Sequence, residues 1–181
     1  FLFDISKICK YNQIVNYKNL LGNNKMFSQK QIEYMVDLLV QLDDNTKIYF
    51  GCDSIRFSKR GRMYAKFATV AIVHMNGKHG CKIFKHISEE PDYDVKKNRP
   101  KMRMMNEVIK VCQLYNQLIP FIDEFNIEIH LDINLDPMYG SNCAANEAAG
   151  YVLGMTGIEP KLKPESWAAS FGADNAVRGG S

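Results

Sequence analysis

The chain has 181 residues, 46% of them hydrophobic and 24% charged, with a net charge of +3. That balance predicts a globular fold of one domain plus an appendage, and no apolar run reaches the roughly 18 residues needed to cross a bilayer. The opening "FLFDISKICKYN" has too short an apolar run for a signal peptide, and Asp4 interrupts it. A charge of +3 does not by itself argue for a nucleic-acid partner.

Residues 1–25 follow no clean period and read as mixed helix and loop. "FSQKQIEYMVDLLVQLDD" then reads as a helix. Ser28 and Gln31 have capping-box spacing, and Ile32, Met35, Val36, Leu39 and Leu42 form one apolar stripe suited to packing on the main body. The predicted organisation is a helical N-terminal extension over residues 1–45 and one domain over 46–181.

Three strands follow: "KIYFGCDSIRF", "MYAKFATVAIVHM" and "CKIFKHISEE", turned at "RGR" and "NGKHG". The apolar part of the first ends at Asp53. "KMRMMNEVIKVCQLYNQLIPFIDEF" is a long helix in which Pro120 predicts a bend or break. In the fourth strand, "NIEIHLDINL", alternation puts His130, Asp132 and Asn134 on one face. "DPMYGS" is a turn. "NCAANEAAGYVLGM" is a helix whose small residues predict close approach to a sheet. "IEPKLKP" is a short fifth strand, and "SWAASFGADNAV" is a last helix, or one broken at Gly172. The order β-β-β-α-β-α-β-α predicts an α/β fold, a mixed five-stranded sheet flanked by helices.

Cys9, Cys52, Cys81, Cys112 and Cys143 include no CxxC pair and no zinc-ligand spacing. An odd number in apolar surroundings predicts reduced, buried thiols and a cytoplasmic setting. Two runs concentrate basic residues: Arg56, Lys59, Arg60 and Arg62 in the first, Lys96, Lys97 and Arg99 in the second. Each alone reads as a solvated loop. Flanking a site, they would form a phosphate-backbone contact surface.

The element order resembles that of the ribonuclease H-like fold. The stretches "IYFGCDS", "MRMMNEV", "IHLDIN", "NEAAGYVLGMTG" and "KPESWAASFGADNA" resemble more closely the YkuK-type family of ribonuclease H-like proteins of bacteria and their phages, over about residues 46–178. The resemblance implies acidic residues on the first strand, the first long helix, the fourth strand and the last helix. Asp53, Glu107, Asp132 and Asp174 stand at those places. It also implies that the first and fourth strands are neighbours, so that Asp53 and Asp132 lie side by side. Two such carboxylates repel unless a cation sits between them, and hard oxygen ligands suit Mg²⁺ or Mn²⁺.

Each candidate has a structural competitor. Asp53 could cap a turn after its strand, Glu107 could pair with Arg103 or Lys110 on a helix surface, and Asp174 could be a helix N-cap. Asp132, flanked by Leu131 and Ile133, needs a partner whatever its role. Glu147 is a spare acid, either replacing Glu107 or facing solvent. His130 is a candidate for proton transfer, although packing is the commoner role of such a histidine. Asn134 is a candidate for touching substrate. Ser54 lacks a His/Asp relay and is no nucleophile. Trp167 is the single tryptophan and is expected to pack the last helix, so no aromatic stacking platform is evident.

The leading expectation is a nuclease that binds RNA, DNA or their hybrid and cleaves phosphodiesters with two divalent ions. The alternative is a nucleic-acid-binding module that keeps the fold with little or no catalysis. An actin-like or sugar-kinase-like ATPase ranks last: "GCDSIRF" offers no glycine-rich phosphate hairpin, and no GxxxxGK loop occurs.

Overall fold

The structure, a computed structural model, describes residues 26–77, 80–94 and 100–177. The predicted mixed sheet is present, with strand order β3-β2-β1-β4-β5. Strands β1 (Lys47–Lys59), β2 (Arg62–His74) and β3 (Cys81–Pro91) form an antiparallel meander. Parallel to β1 runs β4 (Asn126–Asn134), and parallel to β4 the short β5 (Lys161–Lys163). The β1–β2 turn is two residues long, Arg60 at φ 52° and Gly61 at φ 73°. Two positive φ angles suit the twist of a tight hairpin, and they fix the register that sets Lys59 opposite Arg62.

Helix α1 (Gln29–Leu39) begins with the predicted capping box, Ser28 and Gln31 each satisfying the other's backbone N–H. Its stripe of Ile32, Met35, Val36 and Leu39 joins the main core. The segment is pinned at Phe27, whose N–H and C=O both pair with the buried Gln117 side chain, each at 2.9 Å. Gln117 lies on α2 (Lys101–Ile122). Of the bend or break predicted at Pro120, the break does not occur: the helix continues through it and ends at Ile122. Pro120 therefore sits in the last turn, where little helix remains to be disrupted.

Helix α3 (Ala145–Thr156) buries Ala145, Ala148 and Val152. Its small residues were expected against the sheet. It packs chiefly on α2 instead, and Gly157 ends it at φ 72°. Alternation along the strands sorts residues onto two cores. Ile48, Phe50, Cys52, Ile129, Leu131 and Ile133 face the helices α1–α3. Tyr49, Ala68, Val70 and Ile72 face Ala168, Ala173 and Ala176 at the C-terminus.

That C-terminal element is not broken at Gly172. It is a π-helical turn (Ala168–Ala173) running into the short α4 (Asp174–Val177). Gly172 is where it touches the sheet: a Cβ there would lie 2.5 Å from Ile72 Cδ1. Asp174 is helical, at φ −59° and ψ −46°, and so is not an N-cap. Of the cysteines, Cys52 and Cys112 are buried as expected, but Cys81 is exposed and Cys143 half-buried. Cys9 lies outside the described residues, as does the rest of the stretch 1–25 read as mixed helix and loop.

Candidate active site

The site begins where two strands part. Pairing between β1 and β4 runs from Lys47↔Asn126 to Cys52↔Leu131 and goes no further. The next residue on each strand is an aspartate, Asp53 and Asp132. Both lie on the sheet face that carries Tyr49 and His130, which is the face covered by the C-terminal element. Asp53 lies within its strand, as the reading of "KIYFGCDSIRF" has it, and not at a turn after it. It is the seventh of thirteen residues, paired across to Ala68, so it caps no turn.

The fork opens a cavity of about 590 Å³ lined by Asp53, Asp132 and Asp174, with Arg56, Arg103 and Lys163 among its other residues. Three carboxylates from three elements separated in sequence thus face one space. The geometry has an electrostatic cost. Burial pushes the Asp53 carboxyl up from 3.8 to about 6; the Ser54 N–H, 2.7 Å from its Oδ1, opposes this, and the Asp132 and Asp174 charges add to it.

Glu107 lies on the other side of β1, buried on α2. Of the two ion-pair partners considered for it, Arg103 is beside it, but the pair is buried and not on a helix surface. Ser54 Oγ donates to Glu107 Oε1 at 2.5 Å, and Arg103 Nη1 lies 4.0 Å from the same oxygen. Arg103 Nη1 also donates to Ser54 Oγ and Ser54 O, at 2.8 and 2.9 Å. Lys110, the other expected partner, pairs with Glu90. Burial, then the nearby Asp53 charge, raises the Glu107 pKa well above its ordinary value against the Ser54 and Arg103 contacts.

Residues at the cavity are held by partners that the sequence does not signal, Arg56 of the first basic run among them. Lys163 Nζ is 2.7 Å from Asp132 Oδ1. Arg56 pairs with Asp92 at 2.7 Å and donates to the Asp94 carbonyl at 2.7 Å. The Asp94 carboxylate in turn accepts the backbone N–H groups of Met102 and Arg103, at 3.0 and 2.8 Å. It satisfies the first turn of α2, which Pro100 cannot cap. The acidic stretch "EEPDYD" is therefore an anchor for this wall of the cavity, a role that only contacts distant in sequence reveal.

The auxiliary candidates separate from the site. His130 is fully buried. Its Nδ1 accepts the Ala168 N–H at 3.0 Å, which leaves the proton on Nε2, 3.2 Å from Glu128 Oε2. Burial holds its pKa below the ordinary value despite Glu128. It packs against Tyr49 and Trp167 and joins the C-terminal element to the sheet. Asn134 serves its own loop, its Oδ1 accepting the Asp136 N–H at 3.0 Å. Glu147 points outward and pairs with Lys101 at 2.9 Å.

Of the basic residues, Lys59 pairs with Glu89 at 2.9 Å, while Arg60 and Arg62 form the exposed hairpin tip. Six residues of strand separate that tip from Asp53, about 20 Å at an extended rise. Lys96, Lys97 and Arg99 lie outside the described residues. The donors at the cavity are hard carboxylate oxygens, which fit Mg²⁺ or Mn²⁺ in kind. Among the described residues, no three His, Cys, Asp or Glu side chains already stand in a ligating array.

A family model described as Ribonuclease H-like matches residues 29–178, most of the chain. No curated protein and no solved structure matches it.

Proposed function

The chain belongs to the ribonuclease H-like family, and from that premise we propose that it is a metal-dependent nuclease that hydrolyses phosphodiester bonds of RNA or DNA by a two-metal mechanism. The observation that carries this reading is the convergence of Asp53, Asp132 and Asp174 on one cavity. Grouped carboxylates with a raised Asp53 pKa are costly to the fold and gain their reason when a cation is bound.

Asp53, Asp132 and Asp174 would hold Mg²⁺ or Mn²⁺, with Glu107 joining them if its Ser54 contact opens. Bound there, the ions supply an activated water and stabilise the leaving 3′-oxygen. The protein's own groups do the rest. Arg103, anchored on Ser54, presents a fixed positive charge to a phosphate in the cavity. The exposed Arg60 and Arg62 hold the backbone farther out, positioning the strand without reading its sequence.

One observation favours the second reading, a binding module with little or no catalysis. Lys163 already neutralises Asp132, and Arg103 stands beside Glu107. Incubation with labelled single-stranded, duplex and hybrid nucleic acids, with and without Mg²⁺ or Mn²⁺, tests the proposal. Metal-dependent cleavage supports the nuclease. Binding without cleavage, together with no rise in melting temperature on adding metal, supports the module.

A further inference from the structure

Beyond the C-terminal element, the sheet face that carries Asp53 continues along the projecting β1–β2 hairpin. Pairing is unbroken from Lys47↔His74 to Lys59↔Arg62, so alternation holds throughout. Ile55, Phe57 and Lys59 therefore share Asp53's face, opposite Lys66, Tyr64 and Arg62. Ile55 both packs against the minor core and lines the cavity. Phe57 and Tyr64 are half-buried, and their rings stack with centroids 6.0 Å apart and planes at 28°. Lys59 Nζ lies 5.9 Å above the Tyr64 ring. Glu89, the acid paired with Lys59 and set opposite Lys66, is an opposing charge beside the rings. No aromatic stacking platform is evident in the sequence; in the structure two rings seven residues apart meet across a hairpin.

We propose that this face is a track for an unpaired nucleic-acid strand, with a base stacked on the Phe57–Tyr64 pair and phosphates held by Arg62 and Lys66, leading into the cavity at Ile55. The reading rests on the nuclease proposal for the cavity itself. The occupant follows from the chemistry of the face. A polyanion matches the basic side chains, and a flat aromatic pair binds bases of any sequence once they are unstacked from a duplex. A duplex keeps its bases stacked inside and cannot use the rings. Phe57 lies four residues from Asp53, about 13 Å along the strand, so a base seated there is about two nucleotides from the bond at the acids.

The test uses the full chain without divalent metal. Affinity for a fluorescent single-stranded oligonucleotide and for the matching duplex is measured by anisotropy, for wild type, Phe57→Leu and Tyr64→Leu. Leucine keeps apolar bulk on the sheet but offers no ring. We expect each variant to keep its melting temperature within a few degrees and to bind single strands about tenfold more weakly, with duplex binding unchanged. Unchanged single-strand affinity in both well-folded variants overturns the track, as does equal loss for duplex and single strand. Cleavage with Mg²⁺ is scored separately. If wild type binds single strands through Tyr64 yet never cleaves, the track stands and the nuclease falls. If it cleaves and the leucine variants bind and cleave like wild type, the nuclease stands and the track falls.

Discussion

Replacing Asp53 with asparagine should stabilise the metal-free protein. The native carboxyl titrates near 6 against 3.8 for an ordinary aspartate. At neutral pH this disfavours the folded state by about 3 kcal/mol. The sign follows from proton counts. Between about pH 4 and pH 6 the folded chain holds a proton on Asp53 that the unfolded chain has released, so stability falls as pH rises through that window. Asp53→Asn would remove this loss while the new amide oxygen still accepts the Ser54 N–H. It would also relieve Glu107, whose raised pKa owes part of its rise to Asp53. For a chain of this size, about 3 kcal/mol corresponds to a gain of roughly 6–12 °C in melting temperature. The assay is thermal unfolding of both proteins from pH 4 to pH 8 with a chelator present. The gap should open across pH 4–6 and stay open above it. A variant that melts with or below wild type at pH 7.5, or a gap that does not change with pH, would refute the electrostatic account of the site.

Asp132→Asn should abolish metal-dependent cleavage, a loss of orders of magnitude in rate, while melting temperature without metal moves little. Its half-exposed pair with Lys163 is worth at most about 1 kcal/mol. Wild-type-like cleavage by the folded variant would remove Asp132 from the proposed ligand set. Replacing Arg60 and Arg62 together with alanine should weaken nucleic-acid binding and flatten its salt dependence; an unchanged slope would make the hairpin tip a merely solvated surface. Gly172→Ala should destabilise the fold by about 1–3 kcal/mol, because its Cβ would collide with the buried Ile72. Unfolding at wild-type temperature would show that the C-terminal element does not approach the sheet this closely.

Much of the architecture follows from local pattern. Strand alternation, the helical stripe after Ser28, the capping box and the "RGR" turn depend on residues within a few positions of one another, and the structure matches them. The choice of one acid on each of four elements came from the family resemblance and not from local pattern. The same pattern left a bend or break open at Pro120 and a break open at Gly172, since whether a proline or glycine ends a helix depends on how much helix remains and on what packs beside it. What tertiary structure decided is which groups meet. Alternation put Asp53 and Ser54 on opposite faces, but only the end of β1–β4 pairing made a cavity beside Asp53. Only the seating of α2 delivered Glu107 and Arg103 to Ser54. Lys163 reaches Asp132 across 31 positions of sequence. Phe57 and Tyr64 stack because the register of a hairpin sets them opposite each other. Periodicity and capping are short-range properties of the backbone and can be read along a chain. Desolvation, charge pairing and ring stacking depend on neighbours brought together by folding, so the chemistry of the site became visible only in three dimensions.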